Sequence, residues 1–217
     1  MTTFSGSPKL IKGGLVLLDP ETRNVRSVIA LQYNPESLSR SLAVQEVAPE
    51  GGDRAAPLRL KGPPVETIQL EAAIDAADQL DVGDPMAAAV GIHPQLAALE
   101  SLVYPTTDQL LAADRLADAG ALEIAPMEAP LTLFVWSERR IVPVKVTELS
   151  VTEEAFDPAL NPIRARVSLG LRVLSVTDLG FSHAGGTLYL AHQRQKEQLA
   201  ARYRSPGLGA LGLESLP

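Results

Sequence analysis

Cysteine is absent from this chain of 217 residues, which excludes a disulfide framework, a thiol nucleophile and a thiolate metal site. No stretch approaches 18 consecutive apolar residues, so no membrane-spanning helix is expected. The start, MTTFSGSPKLIKGG, lacks the basic segment and apolar run of a signal peptide; the expected location is the cytoplasm, unless a larger assembly carries the chain out. Positive charge is scarce: 19 Lys and Arg stand against 26 Asp and Glu, for a net charge of -7. That balance argues against nucleic-acid binding through the phosphate backbone, although a local basic strand face stays open.

Motifs for chemistry are missing too. No G-x-x-x-x-G-K-[ST] or G-x-G-x-x-G follows a strand, and no G-x-S-x-G elbow is present. The three histidines, His93, His183 and His192, lack the i, i+4 spacing of a helical zinc pair. The acidic series Asp75, Asp78, Asp81 and Asp84 invites calcium, but its three-residue spacing does not match an EF-hand loop; a solvated connection between elements is the plainer account. The expectation is no cofactor, no metal and no catalytic step.

What is there is β-rich. Hydrophobic residues make up 46% of the chain, enough for a core in one domain with appendages. GGLVLLDP and VRSVIALQY read as a hairpin across DPETRN, which Tyr33, Asn34 and Pro35 bring to a stop. Val47–Pro64, rich in Gly, Pro and charge, reads as an exposed loop or arm. In VETIQLEAAID, Val65, Thr67, Gln69 and Glu71 alternate against Glu66, Ile68, Leu70 and Ala72. Two short helices follow, HPQLAALESLV with Leu96, Leu99 and Val103 at helical spacing, and TTDQLLAADRLADAG. PLTLFVW, with Phe134 and the lone Trp136 as core anchors, is joined by SERR to IVPVKVTELSV.

The stretch FDPALNPIRARVSLGLRVL, from Phe156 to Leu174, reads as one long unbroken strand. Ile163, Ala165, Val167, Leu169, Leu171 and Val173 fall on one face, Arg164, Arg166, Ser168, Gly170 and Arg172 on the other. At ~3.3 Å per residue such a strand spans roughly 35–40 Å, which suits an ordinary antiparallel strand with one solvated face, or one shared with neighbouring subunits or lining a channel. Finally, Thr187–Arg204 reads as a basic helix in which Leu188, Ala191, Gln195, Leu199 and Tyr203 share a weakly apolar face. A flexible tail follows it.

Three pieces then coincide. LQYNPESLSRSL, with Tyr33, Asn34, Pro35 and Leu38, resembles the F-x-[FY]-N-P-x-x-L signature of tube-domain proteins of contractile injection systems, the phage-tail-like particles that drive a tube through a membrane. VETIQLEAAID sits where those proteins carry a strand ending in aspartate. FDPALNPIRARVSLGLRVL looks like their F-x-x-x-G-x-P-x-R-A-x-V-x-[LV]-x-[LF] segment, with Phe156, Pro162, Arg164 and Ala165 matching. Leu160-Asn161 replaces the usual Asp-Gly turn, and no full LysM module follows, although many baseplate adaptors of the family end in one.

The resemblance covers about residues 14–175 and implies a mainly β fold with a few helices (α+β), built on a tail-tube-like β-barrel or sandwich. Its implied layout is an N-terminal arm over 1–13, a β domain over 14–178 with a helical insertion at about 93–120, and a basic helical extension with a flexible tail over 179–217. It also implies a structural part that joins the inner tube or spike to the baseplate, with inner tube, spike and baseplate proteins as partners. A homo-oligomeric, sixfold ring follows from it, with no nucleic acid and no direct membrane insertion. Adaptor, tube initiator and inner-tube subunit all stay open, as does release of the particle. The interface candidates are Tyr33, Asn34, Pro35, Leu38, Arg164, Arg166, Arg172, Leu188, Leu199 and Tyr203. Two rivals stand beside this: a soluble assembly factor for tube protein, and a β-barrel module that binds or hydrolyses a small ligand.

Overall fold

Alternation decides the sheet. In β4 (Val65–Asp75) every even-numbered residue from Glu66 to Ile74 is buried, and most of the odd-numbered ones are exposed or half-buried, the pattern of a strand with one face on a core. In the computed structural model, which describes residues 11–19, 22–46, 59–120 and 129–216, β4 lies in one seven-stranded antiparallel sheet of order β2-β1-β5-β6-β7-β4-β3. The other strands are β1 (Gly14–Leu18), β2 (Val25–Ala30), β3 (Leu38–Ala43), β5 (Leu131–Ser137), β6 (Arg140–Phe156) and β7 (Pro162–Val173). Among the described residues six α-helices accompany them: α1 (Ala77–Asp81), α2 (Pro85–Val90), α3 (His93–Glu100), α4 (Thr107–Asp118), α5 (Val176–Leu179) and α6 (Ala184–Ala200). The chain is thus mainly β with a few helices, in one α+β arrangement. Its loop at 47–58 and its first ten residues lie outside the described residues.

The expected barrel is corrected to an open sheet, because β2 and β3 end the strand order without pairing with each other. A side chain spans part of the gap. Beyond β2, the Gln32 amide donates to the Asp75 carbonyl at 2.6 Å and its carbonyl accepts from the Asp75 N–H at 2.8 Å, copying the paired bonds of an antiparallel ladder at the far end of β4. Gln32→Ala should therefore lower stability by about 1–2 kcal/mol, since two half-buried backbone groups lose their partner. Chemical denaturation of the variant beside the wild type measures it, and an unchanged midpoint would show that the bridge carries no weight.

The long strand is likewise corrected. Residues 156–174 are the end of β6, a turn and β7, with Phe156 paired to Pro162. Asp157 builds the turn: its carboxylate accepts from the Ala159 and Asn161 N–H groups and from the Asn161 side chain, and those Asn161 bonds lower its pKa. Leu160 sits at φ 66, a position where glycine would be unstrained. The hydrophobic alternation ran through a turn whose signals, Asp157, Pro158 and Asn161, were in the sequence.

One core fills the inner face. Leu15 and Leu17 of β1, Ile68 to Ile74 of β4, Phe134, Val142, Val144 and the inward residues of β7 form a single cluster with Ile92, Leu96, Leu99 and Leu102. Leu102 takes the inward place expected for Val103, which is exposed. Short helices begin earlier than the sequence suggested, at Ala77, because the acidic residues do local work. Asp75 accepts from Ala77 N–H, and Asp84 caps α2 through Met86 and Ala87. The turn before α3 needs Gly91, at φ 57, where a Cβ would lie 2.1 Å from the Pro162 carbonyl oxygen; the Ile92 N–H donates to that same oxygen. Trp136 is half-buried against the core and stacks on Phe134 with ring centres 5.9 Å apart.

Candidate functional site

The outward face of β3, β4, β7 and β6 follows from the same alternation. Register places Arg164 opposite Asp75 and Ala155, Arg166 opposite Ala73 and Thr152, and Arg172 opposite Thr67 and Lys145. The three arginines thus share one face, as the alternation implied. They do not make it basic. Arg164 meets Asp75 at 2.7 Å, Arg166 meets Glu154 at 2.9 Å, and Arg172 meets Asp178 at 2.6 Å. The open possibility of a basic strand face is corrected accordingly: each of the three arginines has a carboxylate, and Glu71 and Glu148 lie on the same face beside Ser168 and Gly170. A shallow depression of about 350 Å³ lies there. Asp75 titrates below the usual carboxylate range, first because Ala77 N–H bonds it and then because Arg164 does so against the cost of burial.

The other candidates lie apart. Tyr33 is exposed; Asn34 braces the N-terminal segment, accepting from Gly13 N–H at 2.9 Å and donating to the Ile11 carbonyl at 2.8 Å. Pro35 and Leu38 are half-buried, and Leu38 packs against the core. Leu188 is half-buried, whereas Leu199 and Tyr203 are 38% and 74% exposed. The helix itself starts at Ala184 and ends at Ala200, so the expected span is shifted, and its buried side is Gly185, Gly186, Tyr189 and His192. Ala191 is exposed. Sequence periodicity followed the aliphatic residues; packing chose the aromatic ones, whose larger area repays burial.

A polar cluster under α6 went unnoticed. Glu66 is 6% exposed on the inner face and binds Arg40 of β3 through two contacts, Nε at 2.7 Å and Nη2 at 2.6 Å. The signal was a carboxylate in phase with Ile68, Leu70 and Ala72. His192 of α6 is buried within electrostatic reach of this pair, and among the described residues its Nδ1 has no hydrogen-bond partner. Burial, then Lys196, and to a smaller extent Arg140 and Arg40 push its pKa down, with Glu66 opposing them. Burial raises the Tyr189 hydroxyl, helped by Glu66 and Asp178.

The sign of the pH effect follows. A histidine depressed in the folded state is protonated first in the unfolded chain, so stability is full above about pH 6.5 and declines as pH falls toward the lower folded value. In His192→Leu that part of the decline should vanish. Thermal unfolding of both proteins between pH 7.5 and pH 5 checks this, and parallel curves would refute it.

No family model and no curated protein matches the chain. Among solved structures, it is similar to the tail of an empty gene transfer agent particle computed with helical refinement in C6 symmetry. That match has 14% identity and a TM-score of 0.29, over 74% of this chain and 90% of that one. It is similar also to the virion of a native gene transfer agent particle, with 14% identity and a TM-score of 0.28 over the same shares. Among the described residues, no helix is long and apolar enough to cross a membrane, and no group of three or more His, Asp or Glu side chains is placed to hold a metal ion.

Proposed function

We propose that the chain is a structural component of a phage-tail-like contractile injection system, joining the inner tube or spike to the baseplate through ring-forming contacts between subunits, without a catalytic step. The observation that carries this is the open sheet. Both end strands, β2 and β3, are exposed almost throughout, with Val25, Val28, Leu42 and Val44 in solvent. Edge strands with unpaired backbone groups and apolar side chains are a liability in a lone molecule and a ready seam between copies. The resemblance of Tyr33-Asn34-Pro35 and of the β7 segment to tube-domain proteins supports the same reading. The charge-balanced outer face, with its three ion pairs, suits a repeated protein contact better than capture of a small ligand.

Negative-stain electron microscopy of particles from the native host, with and without this chain, tests the proposal. The expected result is loss of complete sheathed particles, or tubes that lack a baseplate. Normal contractile particles in its absence would overturn it. An assembly factor would give a third pattern, with defective particles in its absence but no copy of the chain in finished ones.

A further inference from the structure

We propose that α4 of one copy docks on the projecting end of α6 of a second copy, a head-to-tail contact separate from the sheet edges. The inference goes beyond the particle reading and stands on the two helices alone. Helix α4 is well built: Thr106 accepts from Gln109 N–H in a full capping box. Yet it buries none of its residues. Leu110 and Leu116 are 48% and 51% exposed, and with Ala113 and Ala117 they make a stripe at helical spacing. Asp114 and Asp118, one and two turns on from Leu110, line one border of that stripe, and among the described residues they enter no ion pair. A two-faced helix with no buried residue, only Gln109 and Ala113 being half-buried among the described residues, is a surface awaiting a partner.

The complementary surface is on the same chain. The inward stripe of α6 runs through Gly185, Tyr189, His192 and Lys196. At the same spacing it continues to Leu199 and, just past the helix end, Tyr203, both exposed. Arg194, Arg202 and Arg204 surround that end and enter no ion pair among the described residues. An acidic, leucine-striped helix thus faces outward from one part of the molecule and a basic, apolar helix end from another. The charges oppose self-pairing of α4 with α4, or of α6 with α6, and favour the crossed pair, which sets both register and orientation. A heterologous contact of this kind closes into a ring or propagates.

Two variants of the full chain test it by sedimentation velocity across a concentration series. L110K/D114K spoils the α4 surface, and L199E/Y203E spoils the α6 end; circular dichroism confirms that each stays folded. Wild-type protein should self-associate, less so in high salt. Each variant alone should associate about a hundredfold more weakly, the scale of losing two central anchors. Mixed in equal amounts they should form a complex of one copy each and nothing larger, because one intact α6 end remains for one intact α4. A monomeric wild type, variants that associate as the wild type does, or a mixture that stays monomeric would each overturn the proposal. None of these outcomes depends on whether particles contain the chain, so failure here is distinct from failure of the particle reading.

Discussion

Arg40→Leu should destabilise the fold by about 1–3 kcal/mol, the cost of leaving the buried Glu66 carboxylate without its partially exposed partner. Leucine keeps most of the volume of the arginine stem, so lost packing contributes little. The Glu66 side chain is only 8% exposed, and Arg40 supplies two of its short contacts. With the guanidinium gone, the carboxylate shares its buried face with Ile68 and Leu70 of its own strand. The double variant R40L/E66L should recover most of the loss, because it also removes the buried carboxylate that the single variant leaves without a partner. Urea unfolding of the wild type, the single and the double variant measures the difference. A single variant within 1 kcal/mol of the wild type, or a double no better than the single, would show that water reaches Glu66 freely. The pair matters beyond stability, since Arg40 lies in the end strand β3 and Glu66 ties it to β4 beneath α6. Loosening it should loosen the sheet edge on which subunit contacts are proposed.

Much of this arrangement was readable from the residues. Period-two alternation located β4 to the residue, from Val65 to Asp75, and separated its two faces, leaving the structure to show that the Glu66, Ile68, Leu70 and Ala72 side is the inward one. It also separated the arginines of β7 from its aliphatic residues. What alternation could not show was connectivity. It has no term for a turn inside a periodic run, so β6 and β7 merged across Asp157–Asn161. Nor does it count pairings, so an open sheet with two free ends looks like a barrel until the register is known. The ion pairs of the outer face were hidden for the same reason: Asp75 lies 89 residues before Arg164, and only the antiparallel register puts them side by side. Helix α6 failed differently. Its aliphatic residues are few, and the side that packs was chosen by Tyr189, His192 and two glycines that allow close approach, with Gly186 standing where a Cβ would lie 2.0 Å from the Gly180 carbonyl oxygen.

Reversing the charge of two outer-face residues, in R164E/R166E, should leave a folded protein that no longer supports particles. The fold survives because the pairs lost are exposed: the Arg164 and Arg166 side chains are 53% and 61% accessible, and such pairs contribute about 0–1 kcal/mol each. The interaction between copies has no such margin. In the native face Arg164, Arg166, Arg172 and Lys145 are interspersed with Asp75, Glu71, Glu148 and Glu154; the double reversal leaves an excess of negative charge, with Glu placed beside Asp75 and beside Glu154. A neighbouring subunit presenting the complementary pattern would then meet like charges, which costs several kcal/mol when water is excluded. Repeated around a ring, that penalty is paid at every seam. The neutral pair R164Q/R166Q should lie between, with particle yield rising as salt is lowered for the wild type but not for the variant. Complementation of a deletion host, scored by counts of intact particles and by cargo loading, is the measurement. Normal yields from R164E/R166E would remove this face from the assembly interface and leave the sheet edges and the helices as the contact surfaces.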